Sequence, residues 1–160
     1  MTMPARRDAA EQARLESALV ELFEQRISFN QVLGLQVESL VPGDVRLAFD
    51  MQPALVGHYS YGRLHGGVIS ATLDALGGLA LMVAIAEHFA HDDTAQVMQR
   101  FSKMGTIDLR VDFLRQGLGR RFVGRGEVTR LGGRVGSTQM RLVNDEGTLI
   151  ATGAAAYIVS

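Results

Sequence analysis

The chain has 160 residues, 47% of them hydrophobic and 21% charged, a composition that describes one globular domain over residues 1–160 and leaves little room for a long disordered tail. Lys and Arg number 16 and Asp and Glu 17, and the net charge of −1 argues against nucleic acid as the main partner, because such binders need a cationic surplus. Having no cysteine excludes disulfides, thiolate catalysis and sulfur-ligated zinc; with no apolar segment behind the basic residues of 1–12, the expectation is a cytoplasmic chain without a secretory signal.

Over residues 9–26, Ala13, Leu15, Ala18, Leu19, Leu22 and Phe23 recur at three- and four-residue intervals among charges, which predicts an amphipathic helix lying on a surface. Residues 35–41 and 45–51 flank Pro42-Gly43-Asp44, the residue types of a tight turn, and read as a β-hairpin. Residues 52–64 are rich in Gly, Tyr and His without a sustained period and read as a loop.

Residues 68–86 are almost wholly apolar, with Asp74 the single charge, and Ala, Leu and Met outnumber β-branched residues. A helix over 66–89, buried on all sides, is the expectation. The run is long enough to cross a bilayer, but Asp74 near its middle would cost roughly 2.5–3.5 kcal/mol there, so membrane insertion is not expected. Further on, Ile107, Leu109, Val111 and Phe113 alternate with Asp108, Arg110 and Asp112, the pattern of a strand with one face on the core. Segments 122–131 and 134–143 flank Gly132-Gly133, a pair able to take the positive φ angles of a two-residue hairpin. A turn at 144–147 precedes a last strand over 148–159.

Helix, hairpin, buried helix and four strands make an α+β chain. An antiparallel sheet curved around the one apolar helix satisfies that order, since such a helix needs cover on most of its circumference.

Chemistry concentrates where the buried helix begins. Leu64-His65-Gly66-Gly67-Val68 opens it, and Asp74 follows eight positions after Gly66. Gly66 falls in the first turn, where backbone N–H groups lack intrahelical partners and the macrodipole favours negative charge, so its N–H suits an oxyanion. The plainer alternative is that Gly66 and Gly67 only allow a tight entry into the helix. Asp74, an acid in an apolar helix, is costly unless paired or functional.

His-Gly-Gly with an acid at this spacing, together with Met104-Gly105-Thr106-Ile107-Asp108-Leu109-Arg110-Val111-Asp112 and Phe113-Leu114-Arg115, resembles the PaaI-type hotdog-fold thioesterases, and within them the YigI-like branch associated with medium- and long-chain acyl-CoA. The resemblance covers nearly the whole chain. It implies the hotdog fold, hydrolysis of acyl-CoA thioesters to fatty acid and CoA, no cofactor, and a homodimer or dimer of dimers. By this resemblance Asp74 is nucleophile or general base, Gly66 the oxyanion donor with Gly67 beside it, and Thr106 the hydroxyl that orients water. His65 positions the loop or the thioester, its plainer alternative being a structural hydrogen bond at the helix entry. The family usually carries an Asn in the preceding loop to donate to the carbonyl; here His58 stands in that place, beside Tyr59 and Tyr61.

Arg115, Arg130 and Arg134 are candidates for CoA phosphates, the last two bracketing the Gly132-Gly133 turn. His88 and His91 have near-helical spacing but no acid cluster converges on them, so no metal is expected. Leu76, Leu79 and Met82 are candidates to shape an acyl tunnel, or plain core. Two other readings stay open: an acyl-CoA-binding module that kept the pocket and lost turnover, and a hydroxyacyl thioester dehydratase, whose Gly-His loop Gly57-His58 resembles but whose helix Glu is replaced by Thr72.

Overall fold

A computed structural model describes residues 5–160; residues 1–4, where the segment read as lacking a secretory signal begins, lie outside the described residues. Helix α1 (Ala9–Glu21) is capped by Asp8, whose carboxylate accepts the Glu11 N–H, and it buries Leu15 and Leu19. The expected helix over 9–26 continues as a single π turn, Leu22–Arg26, which buries Phe23. A short α2 (Ser28–Leu33) then ends on Gly34 at φ 70°. This second helix was not expected: six residues are too few for a helical period to register.

The hairpin of β1 (Gln36–Val41) and β2 (Asp44–Asp50) closes at Pro42-Gly43, with Gly43 at φ 80°, as the sequence predicts. Within the segment read as a loop, β3 (Val56–His58) and β4 (Arg63–Leu64) form a small antiparallel ribbon. The apolar helix α3 spans Gly66–His88. An unexpected α4 (Thr94–Phe101) follows, opened by an Asp93–Gln96 capping box. Strands β5 (Gly105–Phe113), β6 (Arg121–Leu131), β7 (Val135–Asn144) and β8 (Leu149–Ile158) complete the chain. They join the hairpin in a six-stranded antiparallel sheet ordered β1-β2-β6-β7-β8-β5, which packs on α3 in the hotdog arrangement.

The sheet approaches α3 closely because strand positions facing the helix are small. A Cβ on Gly124 would sit 2.8 Å from Leu76 Cδ2, and one on Gly153 3.3 Å from Leu73 Cδ1. Leu73, Leu76, Leu79 and Leu81 are fully buried, each side chain contributing roughly 1.5–3 kcal/mol. Length and composition would let α3 cross a membrane, yet these leucines are spent on the sheet and its flanking helices.

Three expectations change. The helix is not buried on all sides: Ala71, Asp74, Ala75, Gly78 and Met82, spaced three and four apart, form a half-buried stripe that the sheet does not cover. In β5, Leu109 and Val111 are half-buried, but Ile107 and Phe113 are 61% and 56% exposed. The strand lies at the sheet edge and its register slips between Thr106 and Asp108, at Ile107, so the alternation read from sequence survives only at Leu109 and Val111, and Phe113 at the strand end is left uncovered. Finally, neither Gly132 nor Gly133 takes a positive φ. Gly132 N–H donates to Val135 C=O at 3.0 Å, moving the turn one residue on, to Gly133-Arg134.

The hydroxyl of buried Tyr157, on β8, donates to the Asp74 backbone carbonyl at 2.8 Å, and a Cβ on Gly77 would press against that hydroxyl and lie 2.7 Å from Thr138 Oγ1. Gly77→Ala is expected to cost about 1–3 kcal/mol in denaturant unfolding. The double variant with Tyr157→Phe should lose less than the two single losses combined; strict additivity would show that the hydroxyl is not the obstacle.

Candidate active site

Asp74 lies on the stripe of α3 that the sheet leaves bare. The start of β5 brings Thr106 against it, and Thr106 Oγ1 donates to Asp74 Oδ1 at 2.8 Å. Tyr157 fixes the same residue through its backbone carbonyl. Burial, and then the nearby Asp74 carboxylate, push the Tyr157 hydroxyl well above its ordinary pKa, so it remains an O–H donor. Beside the pair opens a cavity of about 300 Å³ walled by Phe23, Ile27, Phe29, Met82 and Met104. A half-buried carboxylate with one oxygen held by a hydroxyl, at the edge of an apolar cavity, has its other oxygen available to take a proton from water or to attack a carbonyl.

At the start of α3, His65 is the N-cap. Its Nδ1 accepts the Gly67 N–H at 2.8 Å, which puts the proton of the neutral ring on Nε2. That bond occupies Gly67. The Gly66 N–H makes no hydrogen bond among the described residues. The β3–β4 ribbon packs on this turn: His65 N–H donates to Leu55 C=O at 2.9 Å, and a Cβ on Gly57 would overlap the His65 backbone. His58 follows Gly57, its ring stacked on Tyr59 and tilted against Tyr61, and its Nδ1 is buried without a partner.

These two groups do not meet within one chain. Eight helical residues separate Gly66 from Asp74, about 12 Å along the axis at about 1.5 Å per residue. Phe113, at the far end of β5, sits at Gly66, where a Cβ would lie 3.4 Å from its Cε1, while Thr106 at the near end serves Asp74. Arg115 is exposed and donates to Leu149 C=O at 3.1 Å. Arg130 and Arg134 stand at the β6–β7 turn, exposed and in no ion pair among the described residues.

Among the described residues no group of three or more His, Cys, Asp or Glu is placed to hold a metal. His91 lies 3.4 Å from Asp92, which is held by Arg100 at 2.7 Å. Thr72 is fully buried with its hydroxyl on Val68 C=O at 2.8 Å, so the helix position where a dehydratase would carry its acid offers no reactive group. Of the residues considered for a tunnel, Leu76 and Leu79 are core and Met82 lines the cavity. Sequence reasoning passed over Tyr157, although one large side chain ending the inward row Ala151, Gly153, Ala155 was its signal. It also passed over Phe23 and Phe29, whose place at the cavity has no local signature.

A family model described as the thioesterase superfamily matches residues 61–151. The medium/long-chain acyl-CoA thioesterase YigI of Salmonella typhimurium is 38% identical over 139 residues, 87% of this chain and 90% of the relative, and its Escherichia coli counterpart gives the same figures. A solved structure from Shewanella oneidensis, related to the thioesterase superfamily, superposes with a TM-score of 0.88 at 36% identity, covering 96% of this chain and 100% of that one.

The capping geometry at His65 separates structure from chemistry. His65→Ala is expected to lower stability by about 1 kcal/mol, whereas His65→Ser, which can accept the same N–H, should stay within a few tenths of wild type. Thermal or denaturant unfolding checks it, and equal losses for both variants would remove capping as the role of the ring.

Proposed function

The chain belongs to the thioesterase superfamily, and from that premise we propose that it hydrolyses acyl-CoA thioesters of medium to long acyl chain to fatty acid and CoA, in the cytoplasm, as a homodimer or dimer of dimers. The observation that carries the reading is the Thr106–Asp74 hydrogen bond at the mouth of an apolar cavity.

Thr106 gives its only hydroxyl proton to Asp74, so toward a water molecule it can act only as acceptor. A water set between Thr106 Oγ1 and Asp74 Oδ2 would donate to both and turn a lone pair outward, toward the thioester carbonyl carbon. Asp74 takes the proton as the C–O bond forms; the tetrahedral intermediate collapses with cleavage of the C–S bond, and the leaving thiolate recovers the proton. The developing oxyanion needs donors, and the unpartnered Gly66 N–H at a helix start supplies one. His58, through Nε2–H, is our candidate for the second.

Because Gly66 is about 12 Å from Asp74 in its own chain, we assign these donors to a partner subunit. A two-fold axis setting two α3 helices antiparallel would bring each Asp74 to the other's helix start. Exposed Ile107, Phe113 and Leu114, on and after edge strand β5, whose outer edge has no partner strand among the described residues, support such an interface. Arg115, Arg130 and Arg134, exposed and in no ion pair among the described residues, are our candidates for the CoA phosphates.

Asp74→Asn is expected to lower turnover at least about 10²-fold with substrate binding retained. Gly66→Pro removes the oxyanion donor at a position where proline is tolerated, and His65 at ψ 138° already has the backbone that precedes proline. Refolding the two inactive variants together should restore activity toward half of wild type per heterodimer, since one site is then intact. Heterodimers that stay inactive would place the whole site in one chain and sink the shared-site reading. For the arginines, Arg130→Ala and Arg134→Ala should raise KM for CoA thioesters at low salt more than for thioesters lacking the nucleotide; equal changes for both substrates would make them surface residues.

A further inference from the structure

Gly77 and Gly78 stand together in the middle of α3, where glycine destabilises a helix relative to alanine. For Gly77 the cause is the sheet, since Tyr157 and Thr138 leave no room for a side chain. Gly78 has no such neighbour. A Cβ there would meet nothing nearer than Tyr157 Cε1 at 3.9 Å, an ordinary van der Waals contact, and the space it would enter is the cavity beside Asp74.

Asp74, Gly78 and Met82 follow one another at four-residue steps, so they form a row about 12 Å long on one face of the helix, beginning at the carboxylate. The facing wall comes from Phe23, Ile27 and Phe29. That wall belongs to the N-terminal helices, ahead of residue 61 where the match to the family model begins. It is tied down at two places. Arg7 donates to the carbonyls of Ala86, Phe89 and Asp92 at 2.6, 2.8 and 2.9 Å, fastening the segment to the end of α3. Asn30 is buried and donates to Phe23 C=O at 3.1 Å, fixing α2 against the π turn. Phe29 itself is 59% exposed, at the rim.

We infer that the acyl chain of the substrate lies along this row, from Asp74 past Gly78 toward Met82, and that Gly78 and Phe29 set the length of chain accepted. The inference rests on the acyl-thioester reading above and adds to it the position of the chain. The cavity of about 300 Å³ runs beside Asp74, Gly78 and Met82. A side chain at Gly78 occupies the path, and loss of Phe29 removes its outer wall.

The test is kcat/KM for butyryl-, decanoyl- and palmitoyl-CoA with wild type, Gly78→Leu, Gly78→Ala and Phe29→Ala, each checked for folding by thermal unfolding. Gly78→Leu should lower kcat/KM for decanoyl-CoA at least about 10-fold more than for butyryl-CoA. Gly78→Ala should show the same trend more weakly, and it serves if the leucine variant misfolds. Phe29→Ala should move the preference toward palmitoyl-CoA. Folded variants that change all three thioesters by one common factor would overturn the placement of the chain. A wild-type protein that hydrolyses none of the three would instead overturn the hydrolase reading itself, an outcome visible before any variant is made.

Discussion

Leu73 and Leu76 of α3 lie directly on glycines of β8 and β6, so helix and sheet approach more closely than larger strand residues would permit. The leucines of the helix are buried in that contact and against the flanking helices. The sheet covers α3 along its length but not around its full circumference, and the uncovered stripe carries Asp74. Tight packing on one side therefore fixes the position of the carboxylate on the other. A carboxylate on the sheet side would bear the desolvation cost of full burial without a partner. On the stripe it keeps solvent access on one oxygen and a single protein donor on the other.

Tyr157 acts on the same residue from the sheet side: its hydroxyl donates to the Asp74 backbone carbonyl and anchors the helix turn that carries the carboxylate. Gly77 is what allows the tyrosine to reach that carbonyl, so the positioning of the acid depends on a residue with no side chain.

Much of this was legible in the sequence. The apolar run with one acid read correctly as a helix within a sheet, and Pro42-Gly43 fixed the first hairpin because Gly43 needs a positive φ. Thr106 and Asp74 were singled out separately, and the fold brings them together. What could not be read has physical reasons. Ile107 and Phe113 are exposed despite perfect alternation because β5 is an edge strand, with Ile107 also at the bulge between Thr106 and Asp108, and edge position is set by pairing partners and not by local pattern. Helix α2 is too short for a period to register, whereas α4 does carry a readable signal that sequence reasoning passed over, the Asp93–Gln96 capping box followed by Val97 and Phe101 four residues apart. For His65 the sequence leaves a chemical and a structural reading open, because its hydrogen bond from Gly67 N–H depends on a rotamer.

Strand β5 joins the two halves of the proposed mechanism. Thr106 at one end serves the acid, and Phe113 at the other lies against the glycine that opens α3. Between them runs an unpaired backbone edge with apolar side chains facing solvent. Any chain that pairs with this edge is carried past both positions in one step, because the length of the strand spans the distance along α3 that separates them. In the proposed symmetric dimer the contact that buries Ile107 and Phe113 would thus be the one that aligns each acid with the other subunit's helix start. Assembly and catalytic competence would then be a single event, since a protomer alone holds the proposed base, Asp74, and the proposed oxyanion donor, Gly66, too far apart for one substrate carbonyl to reach both.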